Sequence, residues 1–397
     1  MIYFDTAATS PIDEEVFEAM LPYLKEEYGN PSSKYYCKGQ NAKQAVEDAR
    51  RNVAKLLGAN EEQIVFTAGA TESSNMIIKG YLDYRKYYVD GKNHVITSRA
   101  EHKATLNVCK YLNGEIYSNN DPTTSLFGKN KIVDRGFRAS FIDVDKTGAI
   151  IIPELEAAIC DDTAMISTIY INNEIGTIND VKTIASIAHN HGIAFHVDAT
   201  QAVGKIPVDV NTIECDYLSC SAHKLYGPKG IGAAYLKADK YGIEPISAFM
   251  HGGEQEQGLR AGTLSVHNIV GFGKAAELAI ANLKKDEEYV EKLDDYFVKH
   301  LEDTGLGRLT NPSNNRLKGN ISIVINKNDF NNERFIKSIS DKVAISTGSA
   351  CSAGEPSYVI DAIGLGKEVS KVLRISLNKY STMEEIDEFF KILKENV

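Results

Sequence analysis

Apolar residues recur along the chain in two alternating patterns, short uninterrupted runs and longer stretches with helical spacing. The short runs are typical of buried parallel strands, because both faces of such a strand contact other elements. The longer stretches place their apolar residues on one face of a helix. Since the two patterns alternate from Gln63 to Leu236, they predict a mostly parallel sheet flanked by helices. The predicted strands span 63–66, 94–98, 164–170, 192–198, 215–218, 230–236 and 320–325, and the predicted helices span 14–27, 41–57, 155–159, 181–191, 266–303, 333–340 and 383–395, with one more beginning near 72.

Side chains suited to chemistry follow the predicted strands where these end. Asp198 ends one strand, and His102, Asn173 and Lys224 come shortly after three others. Open α/β sheets bind ligands at the carboxyl ends of their strands. These four residues are therefore expected around one crevice. Taken singly, each has an ordinary explanation: a helix cap, a solvated histidine, a turn cap or a surface lysine.

Lys224 and Asp198 together point to a particular cofactor. Pyridoxal phosphate (PLP) needs a carboxylate that keeps its ring nitrogen protonated and a lysine that holds its aldehyde as a Schiff base. Lys224 lies between small hydroxyl residues and a Gly-Pro-Lys-Gly turn. Positive charge on His223 and Lys229 is expected to lower the pKa of its amine, which would make it a nucleophile.

The turn from Thr67 to Thr71 joins a predicted strand to a predicted helix. Free backbone N–H groups and the positive end of the helix dipole favour a phosphate there. Gly69 allows close approach, and Thr71 adds a hydroxyl. An ordinary strand-to-helix turn is the alternative, and PLP makes phosphate binding the better interpretation.

Two further residues lie in the last quarter of the chain. Cys351 follows Gly348-Ser349-Ala350, small residues that favour an exposed thiol able to act as a nucleophile. A buried structural cysteine is the alternative. Arg374 lies in an apolar run, where its planar guanidinium would bind a carboxylate through two parallel hydrogen bonds or form an ordinary salt bridge.

Composition adds limits to this picture. The 397 residues allow two domains, and the net charge of -10 favours neither nucleic acid nor a membrane surface as partner. No apolar segment approaches a membrane span and the start lacks a signal-peptide pattern, so a cytoplasmic location is expected. The six cysteines are scattered without metal-ligand spacing, which argues against both a metal site and a disulfide framework.

Six motifs occurring in this order resemble those of the cysteine desulfurases, the NifS/IscS-like group of the class-V aminotransferase superfamily. The motifs are Phe66-Thr67-Ala68-Gly69-Ala70-Thr71-Glu72-Ser73, Glu101-His102-Lys103, Asn172-Asn173-Glu174-Ile175-Gly176, His196-Val197-Asp198-Ala199-Thr200-Gln201, the stretch 219–230 around Lys224, and Gly348-Ser349-Ala350-Cys351. Several motifs in the correct order are far more specific than any one of them.

The resemblance implies the PLP-dependent transferase (aspartate-aminotransferase-like) fold, an α/β fold with a large domain over 13–265 and a small α+β domain over 1–12 and 266–397. It implies conversion of L-cysteine to alanine, with the sulfur retained as a persulfide on Cys351 and passed to an acceptor protein. A homodimer is also implied. The catalytic residues would be Lys224, Cys351 and His102. The cofactor would contact Ala70, Thr71, His102, Asn173, Asp198, Gln201, Ser221, His223, Lys224 and the neighbouring subunit's copy of Thr263, and the substrate would contact Asn173 and Arg374.

An aminotransferase or a selenocysteine lyase on the same scaffold is the alternative function, although transamination has no use for Cys351. A third possibility is a degenerate member of the family that acts only as a scaffold for a sulfur-transfer partner. Three positions depart from the family pattern, namely Tyr36, Glu254 and Gln257. The polar stretch 117–140 resembles an insertion, interpreted as a surface loop or, less favoured, as a partner-docking element.

Overall fold

The computed structural model describes residues 1–115, 133–243, 245–348 and 356–397. In these ranges the strands are β1 (Ile2–Tyr3), β2 (Ile64–Thr67), β3 (His94–Ser98), β4 (Arg138–Ile142), β5 (Thr163–Ile169), β6 (Ala194–Asp198), β7 (Tyr217–Ser221), β8 (Gly232–Leu236), β9 (Ala238–Asp239), β10 (Gly242–Ile243), β11 (Gly307–Leu309), β12 (Asn320–Ile325), β13 (Val343–Ala344) and β14 (Val372–Ser376). The α-helices are α1 (Glu14–Lys25), α2 (Cys37–Leu57), α3 (Ala70–Tyr84), α4 (Lys103–Leu112), α5 (Ile152–Ala158), α6 (Val181–Asn190), α7 (Val210–Ile213), α8 (Val266–Thr304), α9 (Asn332–Ser338), α10 (Tyr358–Ala362) and α11 (Met383–Asn396).

Seven strands form the central sheet, in the order β2-β8-β7-β6-β5-β3-β4. Only β8 runs antiparallel to its neighbours, which confirms the prediction of a mostly parallel sheet. The edge strand β4 corrects one expectation, because residues 138–140 had been assigned to a surface insertion over 117–140. They pair instead with β3, Arg138 opposite His94. Residues 117–132 of that insertion lie outside the described residues.

Apart from the edge strand β4, the strands of the sheet are buried on both faces. In β2, Ile64 and Phe66 belong to one apolar core, together with residues of α2, α6 and α8. Val65 points the other way, into a core formed with α3 and α4. Because successive side chains alternate between two covered faces, these strands need apolar residues at almost every position.

A separate apolar core lies around the antiparallel sheet β11-β12-β14. Helix α8 contributes to both regions: Ile269 and Phe272 belong to the first core, whereas Leu293 and Phe297 belong to this second one. Phe4 also belongs to the second core. The division of the chain at residue 265 stays a prediction.

Helix α8 is 39 residues long and carries charged residues throughout its second half. Within the described ranges, no helix combines the length and apolar character needed to cross a membrane.

Candidate functional site

A cleft of about 860 Å³ opens at the carboxyl edge of the central sheet, where β2, β3, β5, β6 and β7 end. Most residues selected from the sequence line this one cleft. They are Ala70, Thr71, His102, Asn173, Asp198, Gln201, Ser221, His223, Lys224 and Arg374. Asp198, His102, Asn173 and Lys224 thus lie around one crevice as expected, and the roles of all ten residues toward a cofactor or substrate stay predictions.

The turn between β2 and α3 opens directly onto the cleft. Gly69 has a φ of +152°, a conformation in which glycine is favoured, and Ser221 Oγ, at 3.8 Å, is the one atom within 4 Å of a Cβ built there. Helix α3 begins at Ala70, so its first amide groups have no acceptor within the helix. A helix of 15 residues that starts at an open turn offers a place for an anion.

Asp198 lies at the end of β6 and is almost completely buried. Its Oδ1 accepts hydrogen bonds from the backbone N–H of Thr200, at 3.0 Å, and from the Thr200 hydroxyl, at 2.5 Å. These bonds fix the orientation of the carboxylate in the floor of the cleft. A buried carboxylate of this kind is suited to hold a cationic partner.

Lys224 follows β7 in the 3₁₀ turn Ala222–Lys224. The residues that precede α1 form an N-terminal arm. Lys224 Nζ donates to two carbonyl oxygens of this arm, to that of Ala7 at 2.5 Å and to that of Ala8 at 2.6 Å. Sequence reasoning missed these partners, because backbone carbonyls leave no signal in side-chain identity. The arm thus places the amine at the same cleft as Asp198.

Burial lowers the pKa of both histidines that line the cleft. For His223, burial and the neighbouring cations Lys224, Lys229 and Lys205 lower the pKa to about 4. His223 is therefore neutral at pH 7, and the expectation that it supplies positive charge beside Lys224 is wrong. Burial also lowers the pKa of His102, against the opposing effect of Asp198. Since His102 Nδ1 accepts the N–H of Ala104 at 3.1 Å, the proton of its neutral ring lies on Nε2.

Arg374 lies in β14, where it is 1% exposed and lines the cleft. Its Nη2 lies 2.8 Å from Asp5 Oδ1, and its Nη1 donates to the Asn173 carbonyl at 3.2 Å. The salt bridge that the sequence left open as an alternative is therefore present. Its Nε is buried and has no hydrogen-bond partner among the residues that the structure describes.

Two predicted residues do not line the cleft as described. Thr263 is exposed on the loop before α8, and its contact with a neighbouring subunit stays a prediction. Cys351 lies outside the described residues. Described residues before and after it lie near the buried Glu174: the Ser357 hydroxyl donates to Oε2 at 2.5 Å, and a Cβ built on Gly348 would lie 2.8 Å from the same oxygen.

Two of the positions that depart from the family pattern lie in a glycine-rich loop over residues 251–263. Glu254 is exposed, and the Gln257 side chain donates to the Glu62 carbonyl at 2.9 Å. Between them, Glu256 is buried and pairs with Arg50, with Oε1 2.7 Å from Nη2. The loop is thus attached to the large core through a residue that the sequence analysis did not select.

Known proteins match this chain over nearly its whole length. The sequence profile of the class-V aminotransferases matches residues 2–389. A cysteine desulfurase IscS of Shewanella sp. (strain MR-4) is 40% identical over 405 aligned positions, covering 100% of this chain and 92% of the relative. An IscS of Neisseria meningitidis serogroup C (strain 053442) is likewise 40% identical, with the same coverage.

Solved structures give the same result. A NifS-like protein superposes with a TM-score of 0.86 at 34% identity, covering 100% of this chain and 98% of its own. A structure described as SspA in complex with cysteine has a TM-score of 0.78 at 33% identity, covering 96% of this chain and all of its own. The chain therefore belongs to the class-V aminotransferase family, within its cysteine desulfurase group.

Proposed function

We propose that this chain is a PLP-dependent cysteine desulfurase that removes the sulfur of L-cysteine, releases alanine and holds the sulfur as a persulfide on Cys351. The observation that carries the proposal is the meeting of Lys224, Asp198, His102 and Arg374 at one cleft. The solved relative that contains cysteine supports the substrate.

The cleft fits PLP in three respects. The open turn at Gly69, with the unpaired amides that begin α3, would hold the phosphate. The buried carboxylate of Asp198 would hold the ring nitrogen, and the amine of Lys224 would hold the aldehyde. When bound, PLP supplies the electron sink that the reaction requires.

Lys224 and His102 are the groups placed to move protons in the cleft. Lys224 is held by two carbonyl oxygens, which accept hydrogen bonds but cannot take a proton from it at neutral pH. His102 stays neutral because its pKa is lowered, and since its Nδ1 accepts the N–H of Ala104, the group left for proton transfer is Nε2–H, which donates. Proton transfer is therefore assigned to the amine of Lys224 and to Nε2 of His102.

Arg374 is the residue that would bind the substrate α-carboxylate. It already binds one carboxylate, that of Asp5, through Nη2. A substrate carboxylate carries the same charge as Asp5 and would take its place on that donor. Arg374 thereby orients the substrate beside Asn173, whose carbonyl it also binds.

Gly348 and Ser357 support a sulfur-accepting role for Cys351. Ser357 donates to Glu174, and Gly348 lies close to the same carboxylate, so described residues before and after Cys351 lie near the neighbour of Asn173, which lines the cleft. In the proposed step the thiolate attacks the sulfur of cysteine, the carbon–sulfur bond breaks, and a new sulfur–sulfur bond forms. The homodimer, the acceptor protein and the cytoplasmic location stay predictions, and a selenocysteine lyase or an aminotransferase is the alternative activity.

The proposal is tested by measuring alanine and sulfide together, from L-cysteine with a thiol reductant. We expect equal amounts of both from the unmodified chain and from Cys37→Ala, which removes an exposed cysteine as a matched control. Cys351→Ala should lower both rates by about 10³-fold or more, while the visible absorbance of its cofactor still responds to cysteine.

Two results would contradict the proposal. An unimpaired Cys351→Ala variant would assign Cys351 a structural role. Consumption of a keto acid without release of sulfide would show an aminotransferase.

A further inference from the structure

A second lysine, Lys205, is connected to the cleft through a chain of hydrogen bonds. Its Nζ donates to Gln201 Oε1 at 2.5 Å, and Gln201 Nε2 donates to the carbonyl oxygen of Ala7 at 2.9 Å. The same carbonyl accepts the amine of Lys224 at 2.5 Å. Two lysines, one amide and one carbonyl thus form a continuous network at the cleft.

The backbone fixes where Lys205 lies. Gly204 has a φ of +77°, and a Cβ built on it would lie 2.8 Å from Leu225 Cβ, so the turn before Lys205 packs closely against the segment that follows Lys224. Lys205 itself is partly buried and forms no salt bridge within the part of the chain that the structure describes. Burial, together with the positive charges of Lys224 and Arg374, lowers its pKa to about 7. A lysine kept beside two other cations without a carboxylate costs stability, which calls for an explanation.

We propose that Lys205 is a positioning residue, which fixes the side-chain amide of Gln201 with its N–H groups toward the cleft and its oxygen away from it. A carboxamide carries donors on one side and an acceptor on the other. Lys205 Nζ donates to the oxygen of Gln201, so this oxygen faces Lys205 while the amide nitrogen faces the Ala7 carbonyl. If the amide of Gln201 were flipped, its N–H groups would face the N–H groups of Lys205, and its oxygen would face the carbonyl oxygen of Ala7.

This orientation has a consequence for the cofactor, and in this respect the inference rests on the proposed function. The family resemblance places Gln201 at the ring oxygen of PLP. An N–H donor stabilises that oxygen in its anionic form, whereas an amide oxygen in the same place would destabilise it. Lys205 would therefore determine, through Gln201, the pH at which the bound cofactor changes its protonation state.

The test is a pH titration of the cofactor's visible absorbance in four proteins: the unmodified chain, Lys205→Met, Gln201→Leu and the double variant. We expect the midpoint to rise by about 0.4–1 unit in each single variant, the equivalent of one lost hydrogen bond. The double variant should show no further rise, because both changes remove the same bond. Lys205→Arg keeps a donor and should restore most of the original midpoint.

A control and two contrary results complete the design. Lys182→Met, which removes an exposed lysine on α6, should leave the midpoint unchanged. Shifts that add in the double variant would show that Lys205 acts by its charge alone, and an unchanged midpoint in Lys205→Met would show that it is only structural. A chain that gives no visible absorbance with PLP would overturn the proposed function as well, whereas the other two results concern Lys205 only.

Discussion

Glu101 is the residue whose surroundings differ most from what its place in the sequence suggested. It directly precedes His102, yet it lines no part of the cleft and is completely buried. Ser98 Oγ donates to Oε1 at 2.7 Å, and Oε2 is buried as well. Burial raises the pKa of the Glu101 carboxyl to about 8, and the nearby Asp198 adds to this effect. Glu101 is therefore mostly protonated at pH 7.

This buried acid makes stability depend on pH. The unfolded chain releases the Glu101 proton near the ordinary value of 4.5, whereas the folded chain keeps it until about pH 8. The stability contributed by the protonated carboxyl is therefore complete below pH 4.5 and is lost as the pH rises to 8. Glu101→Gln, which cannot ionise, should gain about 2–4 kcal/mol relative to the unmodified chain between pH 5 and pH 8.

Denaturant unfolding at several pH values measures this difference. Glu62→Gln, at an exposed carboxylate, is the matched control and should follow the unmodified chain. Two parallel stability profiles for Glu101→Gln and the unmodified chain would show that Glu101 does not titrate in this range.

At this scale, residue type and position after a strand were sufficient to place Asp198, His102, Asn173 and Lys224 at the cleft, and the family resemblance added the other six residues that line it. Residue type and position were not sufficient for Lys205, although it follows Gln201 by four residues. The reason is that its partner is an amide oxygen, and amides and surface lysines are common in loops. The charge state of His223 was also beyond the sequence, because burial lowers its pKa and burial depends on the fold.

Among the elements, the strands were predicted best. Strands β12 and β3 were predicted with the observed bounds. Every residue of both strands is buried, so the apolar run in the sequence coincides with the strand. Strand β4 was missed, since four of its five residues are partly or fully exposed and it follows a polar stretch. Helix α2 was predicted to begin at Asn41, but it begins at Cys37. Its first turn is polar and has no capping side chain, so the sequence does not mark where the helix starts.

The loop before α8 is attached to helix α2 and strand β2 by one buried ion pair. Arg50 donates to both oxygens of Glu256, at 2.7 and 2.8 Å, and the backbone N–H of Phe66 donates to Glu256 Oε2 at 2.6 Å. Removing one partner leaves the other charge buried, which costs about 3 kcal/mol or more. Glu256→Gln should therefore lower the free energy of unfolding by about that amount.

Denaturant unfolding is again the measurement. Glu254→Gln, two residues earlier in the same loop but exposed, should change the free energy by less than about 0.5 kcal/mol. The double variant Arg50→Met with Glu256→Gln should recover part of the loss, because neither member of the buried pair then carries a charge, and Glu47, the other partner of Arg50, is exposed to solvent. Equal effects of the two glutamate changes would show that the pair does not contribute.

For the whole molecule, the N-terminal arm connects the second core to the cleft within eight residues. Phe4 is fully buried in that core, with its ring edge-on to Phe389 at 6.1 Å between centroids. Asp5 pairs with Arg374, and the carbonyl groups of Ala7 and Ala8 hold Lys224. The family resemblance assigned residues 1–12 to the small domain, but it did not indicate that their backbone would be the partner of the lysine.

Because of this connection, we expect a change in the second core to weaken PLP binding at the cleft. Phe4→Ala removes a fully buried ring, which should lower the free energy of unfolding by about 3–5 kcal/mol. Because the arm loses its anchor, titration of the cofactor-free chain with PLP should also show weaker binding than in the unmodified chain. Phe17→Ala, at a ring on α1 that is 44% exposed, is the matched control and should leave both quantities nearly unchanged. If Phe4→Ala lowers stability without weakening PLP binding, the arm does not transmit the state of the second core to Lys224, and the cleft is held by the large sheet alone.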